Sequence, residues 1–75
     1  MQNNMYVLHI KKIDKVGETT YQNDVLFDTE QDTDRAAVLM IHSRGTRDKL
    51  IFTDSGYKLK KYNGTIEYYD IREQY

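Results

Sequence analysis

Apolar and polar residues alternate early in the chain, and the period of that alternation changes as the chain proceeds. Tyr6, Leu8 and Ile10 interleave with Val7, His9 and Lys11, the two-residue period of a strand rich in β-branched and aromatic residues. Asp14-Lys15-Val16-Gly17-Glu18 interrupts it, and Gly17 suits the positive φ of a turn. Tyr21, Val25 and Phe27 then share one face of a second strand, so the two segments are expected to pair as a hairpin. Residues 1–4 are polar, carry no pattern and read as a frayed end.

From Asp28 to Arg44 the period lengthens and the end chemistry is helical. Asp28-Thr29-Glu30-Gln31 resembles a capping box, with an acceptor at the start and Gln three residues later. Glu30, Asp32 and Asp34 favour the positive end of the helix dipole, and His42 and Arg44 the negative end, with Gly45 as the residue just past it. Ala36, Ala37, Met40 and Ile41 fall on one face, while Val38 and Leu39 lie off that stripe as surplus apolar surface. An apolar run as short as 36–43 also fits a strand by periodicity alone, and the end signals decide for the helix.

The last third reads as a three-stranded meander. Leu50 to Thr53 is a strand, Asp54-Ser55-Gly56 a turn, Tyr57 to Tyr62 a strand, and Thr65 to Ile71 the closing strand. Asn63-Gly64 is the strongest short hairpin signal, and as a two-residue loop it pairs Tyr62 with Thr65, Lys60 with Glu67 and Leu59 with Tyr68. That register buries Leu59, Ile66 and Tyr68 and puts Lys58, Lys60, Tyr62, Glu67 and Tyr69 on the opposite face. A two-residue Ser55-Gly56 loop adds Leu50 and Phe52 to the buried face, and a three-residue turn with a Gly56 bulge sends them to the other. The first leaves fewer large apolar groups in water. The expected fold is α+β: a small antiparallel sheet of about five strands with one helix packed on it, in the order β-β-α-β-β-β.

At 75 residues the chain is one domain. A chain this short buries roughly 60% of the surface its unfolded form exposes, so its stability margin is thin. It contains no cysteine to staple it, which makes packing, self-association or a partner the remaining sources of stability. The formal charge of −1 fits neither a dedicated duplex-DNA binder nor a wholesale DNA mimic. The run Ala36–Ile41 is far shorter than the roughly 20 apolar residues that span a bilayer. The N-terminus does not resemble a signal peptide, so a cytoplasmic protein is expected.

Candidate chemistry is sparse. His9 and His42 have no carboxylate or nucleophile at a motif spacing, and His42 is expected to serve the helix C-terminus. Asp28, Glu30, Asp32 and Asp34 are two residues apart, and on a helix such side chains fan around the axis rather than converge on a cation. Glycines 17, 45, 56 and 64 fall one per turn, so no phosphate-cradling loop can be assembled. Ser43 and Ser55 lack a base and an orienting acid at recognisable spacing. No catalytic residue, metal site or cofactor is expected.

Tyrosine is the unusual feature: there are seven, and no tryptophan. Tyr57, Tyr62, Tyr68, Tyr69 and Tyr75 gather late in the chain, interleaved with Lys58, Lys60 and Lys61. Rigid aromatic area beside charge is the composition of protein interfaces. The first functional expectation is therefore a non-catalytic protein-binding module, an inhibitor or adaptor, using Lys58, Lys60, Tyr62, Glu67, Tyr69, Val38 and Leu39. An accessory protein of a phage or mobile element fits that description. The alternative is a single-stranded nucleic-acid binder, with Tyr62 and Tyr69 stacking bases and Lys58, Lys60 and Lys61 following phosphates. Arg44, Arg47 and Lys49 would extend that path. A homodimer sharing Val38, Leu39 and the outer sheet face is compatible with the first.

Overall fold

The computed structural model describes residues 5–74; the segment 1–4, expected to be frayed, and Tyr75 lie outside the described residues. The elements are β1 (Met5–Ile13), β2 (Thr19–Phe27), α1 (Glu30–His42), β3 (Lys49–Thr53), β4 (Gly56–Lys60) and β5 (Ile66–Gln74). All strand pairs are antiparallel, in the order β2-β1-β5-β4-β3. The β-β-α-β-β-β expectation holds. The hairpin β1–β2 and the meander β3–β4–β5 join through β1 and β5, which pair from Met5–Gln74 to Ile13–Ile66. Leu8, Ile10, Leu59 and Tyr69 on one sheet face, and Ala37 and Ile41 of α1, form the buried core.

Each boundary has a local cause. Thr29, not Asp28, caps α1: its hydroxyl accepts from the Asp32 amide at 3.1 Å. At the other end Ser43 is the cap and the Arg44 amide donates to the Ile41 carbonyl at 2.9 Å, so Gly45 does not take the left-handed terminating role expected of it. The buried stripe is Thr33, Ala37 and Ile41, spaced four apart. Thr33 is fully enclosed and donates its hydroxyl to the Thr29 carbonyl at 2.7 Å, which satisfies that buried polar group. Met40, placed on the buried stripe by periodicity, is 41% exposed at its margin.

The β4–β5 register differs from expectation by one residue. Lys61 donates its amide to the Thr65 carbonyl at 2.8 Å, and Gly64 to the Lys61 carbonyl at 3.0 Å. The loop is therefore the three residues Tyr62-Asn63-Gly64, with Gly64 at φ +96°. The β1–β2 turn is built alike: Asp14 donates its amide to the Glu18 carbonyl at 2.9 Å, and Gly17 sits at φ +93°. One extra loop residue flips every later side chain to the other face. Leu59 now pairs with Glu67, Tyr57 with Tyr69 and Lys58 with Tyr68. Tyr69 enters the core at 2% exposure, and Tyr68 and Ile66 move to the face away from the helix.

In β3–β4 the loop is Asp54-Ser55, with Thr53 paired to Gly56. Leu50 and Phe52 do share the helix-side face, opposite Leu59 and Tyr57. α1 packs over β1, β5, β2 and β4 but does not reach β3. Leu50 is consequently only half-buried, and Phe52 is 76% exposed with its ring edge-on to Tyr57.

Candidate functional site

One sheet face is covered by α1; the other is open. Following the register across the sheet, Gln22, Lys11, Tyr68, Lys58 and Ile51 form a single row over all five strands. Tyr68 is its centre, half-buried between two lysines that oppose it directly, and the Lys58 ammonium lies 5.5 Å from its ring centroid. The next row toward the β4–β5 turn carries Ile13, Ile66, Lys60 and Lys49. Lys11, Lys49 and Lys60 have no ion-pair partner among the described residues. On the far side of Tyr68 the row is His9 and Asp70, with Asp24 bonded to His9 and Ser55 donating to Asp70 at 2.9 Å. A shallow groove of about 310 Å³ runs between these rows, lined by His9, Lys11, Ile13, Tyr68, Asp70 and Arg72.

The seven residues singled out from sequence do not form one surface. Lys58 and Lys60 lie on the open face as expected. Glu67 and Tyr69 lie on the helix side instead, where the Tyr69 hydroxyl donates to the Glu67 carboxylate at 2.6 Å. Burial, and then that carboxylate, push the Tyr69 phenol well above its ordinary range. Tyr69 is thus a structural residue. Tyr62 sits in the β4–β5 loop, 70% exposed, with the Arg47 guanidinium 4.9 Å from its ring centroid. At ~100° per residue, Leu39 points ~200° from Ala37, straight away from the sheet, and Val38 lies on the flank that also carries Asp34. Asp34 accepts from the Tyr57 hydroxyl, which raises the Tyr57 pKa. Val38 and Leu39 are exposed, but on the helix side, far from Lys58 and Lys60.

Sequence reasoning missed Tyr68 and Lys11 as open-face residues, and Asp48 altogether. Asp48 precedes β3, and its side chain is 5% exposed. It accepts from the Tyr62 amide at 2.7 Å, the Gly45 amide at 2.8 Å and the Lys61 ammonium at 3.1 Å. Those bonds, the Tyr62 amide foremost, hold its carboxyl below the ordinary 3.8. It ties the helix exit to the loop that sets the β4–β5 register. Nothing but the bare Asp-Lys dipeptide marked it in the sequence.

A second concavity of about 410 Å³ lies between the end of α1 and the sheet, with Lys12, Tyr21, Met40, Arg44, Lys61 and Glu67 in its wall. Its cations are internally occupied: Lys12 lies 4.0 Å from Glu67 and 5.3 Å from the Tyr21 ring centroid, and Lys61 pairs with Asp48. Among the described residues, no three His, Asp or Glu side chains gather to hold a metal ion, and no helix is long and apolar enough to cross a membrane. Compared with known protein families, with curated proteins and with solved structures, the chain matches none of them.

Proposed function

We propose that this protein is a non-catalytic binding module that occupies an acidic, partly apolar surface of a partner protein with the open face of its sheet, as an inhibitor or adaptor does. The observation that carries the reading is the Lys11–Tyr68–Lys58 row with Ile13, Ile66 and Ile51 around it. An antiparallel sheet with a solvated face ordinarily alternates polar residues outward. Here large apolar groups and unpaired lysines share that face, the composition of an interface centre with a charged rim. Buried by a partner, a Tyr68 flanked by cations is the kind of aromatic anchor on which binding energy concentrates.

A photo-crosslinking amino acid at position 68, and separately at position 39 on the outer helix surface, tests the face used. Capture of one protein from nuclease-treated lysate through position 68 alone is the expected result. Capture through position 39 and not through 68 overturns the reading.

One observation favours single-stranded nucleic acid as a second reading. Although the net charge is near zero, all seven lysines lie in the half of the sheet nearer the β1–β2 and β4–β5 turns. Tyr68 would stack a base, worth about 1–3 kcal/mol, while Lys11, Lys58 and Lys60 follow the phosphates. Binding to a fluorescent oligonucleotide should then weaken with salt at a log–log slope of about −0.7 per neutralised phosphate, and Tyr68→Ala should weaken it further. A flat salt response removes this reading and leaves the first standing.

A further inference from the structure

The two edges of the sheet are not equally protected. β3 is five residues long and begins with Lys49, both features that discourage the addition of another strand. β2 is nine residues long and contains no proline, lysine or arginine. Its one charged residue, Asp24, is held by His9 of the neighbouring strand. The irregularity in the β1–β2 register is confined to Lys12 and Ile13, so Tyr21–Phe27 runs without a bulge. Among the described residues, no strand lies beyond it. Tyr21 and Leu26 stand 44% and 58% exposed on its opposite faces, and Met40 flanks it from the helix, lining the same concavity as Tyr21.

Charge is segregated between the two ends of the molecule along the strand direction. The end holding the β1–β2 turn and the C-terminus of α1 carries every lysine plus Arg44 and Arg47, against Asp14, Glu18, Asp48 and Glu67. The end holding the N-terminus of α1 and the β3–β4 turn carries Asp24, Asp28, Glu30, Asp32, Asp34, Asp54, Asp70 and Glu73, against Arg35 and Arg72. A partner strand that ran the same way would set like ends together. One that ran the opposite way sets each end beside its complement.

We infer that β2 pairs antiparallel with β2 of a second copy about a two-fold axis at Asn23, fusing two five-stranded sheets into one of ten. Such an interface is isologous and must be self-complementary. About Asn23, Tyr21 meets Val25 of the second copy on the helix side, Gln22 meets Asp24 on the open side, and Thr19 meets Phe27. No like charges oppose each other. The backbone edge supplies hydrogen bonds, and Tyr21, Val25 and Met40 supply apolar area to a chain whose own core is small. The pairing also sets two open faces side by side, in a sheet about 43 Å wide at ~4.8 Å per strand. It is independent of what that face binds.

Sedimentation velocity over a dilution series from hundreds of micromolar to low micromolar is the test. The expected result is a dimer that dissociates on dilution, and more readily at high salt. Asn23 is exposed and belongs to no core contact, so Asn23→Lys and Asn23→Glu should each keep the native circular dichroism and sediment as monomers through like-charge repulsion at the axis. An equimolar mixture of the two should restore the dimer. Hydrogen exchange of the unaltered protein adds a reading free of substitutions: the alternate amides of 20–27 that face away from β1 should gain protection with concentration. A monomer at every concentration overturns the inference. So does a dimer indifferent to both substitutions, or one whose 20–27 amides exchange equally fast at all concentrations.

Discussion

Gly56 opens β4 directly opposite Asp70, and a Cβ placed there would lie 2.0 Å from the Tyr69 carbonyl oxygen. The contact is backbone, so no side-chain rotation relieves it. Gly56→Ala is expected to destabilise by about 1–3 kcal/mol or more, the range for overpacking, read as a lowered urea midpoint. Asp48 makes a different kind of demand. Its carboxyl titrates below its ordinary value in the fold, so its stabilisation is complete above pH 3.8 and is lost as pH falls through the lower folded value. Asp48→Asn should therefore lower stability at neutral pH and flatten its decline in acid, visible in melting temperatures from pH 7 down to about 2. An acid limb as steep as that of the unaltered protein would assign the decline to other carboxylates. Asp48 did not stand out in the sequence, and Gly56 stood out only as a turn residue: both acquire these roles from the strands and loops brought beside them.

At the scale of elements, capping and turn chemistry decide where each segment begins and which way its side chains face. The Thr29 hydroxyl satisfies one of the otherwise unpaired amides at the start of α1. Thr29→Ala should cost about 1 kcal/mol, within the ~0.5–2 range for such caps, whereas Asp28→Ala should cost less because Asp28 is not the cap. A larger loss at Asp28, measured by chemical denaturation, would reverse that assignment. The helix was legible from its ends, although its cap lies one residue later than the Asp28 start predicts. The turns were legible as turns but not as registers. Asn-Gly favours a two-residue loop by propensity, yet Asn63 Oδ1 accepts from the Thr65 amide at 2.9 Å and Asp48 holds the Tyr62 amide, contacts that favour the longer loop. Gly64 also lies against Lys15 of the adjoining turn, where a Cβ would approach the Lys15 Cβ to 2.9 Å.

For the molecule as a whole, the core is thin and the charge is polarised. A chain of this length carries roughly 4–11 kcal/mol of stability at ~0.05–0.15 kcal/mol per residue. Leu59 is 1% exposed in that core, and Leu59→Ala, at about 2–5 kcal/mol, should remove a large share of that stability, read as a lowered urea midpoint. The radius of gyration of 13.1 Å exceeds the ~11 Å of a compact chain this long, because long strands project past a single 13-residue helix. That extended shape, 46 × 24 × 19 Å, spreads a lysine-rich end and a carboxylate-rich end far enough apart to present distinct fields.

The number, kind and order of the elements could be read from the amino-acid sequence, because they follow from local periodicity, caps and glycine-marked turns. That Lys58 and Lys60 share a face was equally legible, since a two-residue period within one strand survives any register. Which residues lie opposite them depends on loop length and strand pairing, which no local pattern records. One residue of loop length moved Tyr69 into the core and Tyr68 to the open face, exchanging two adjacent tyrosines whose propensities are identical. The central pairing of β1 with β5, and with it the unprotected edge at β2, joins segments nearly the whole chain apart, and no local signal records that contact. The segregation of charge has the same origin: near-balanced in composition, it becomes a polarity only when the sheet sets the strands in register.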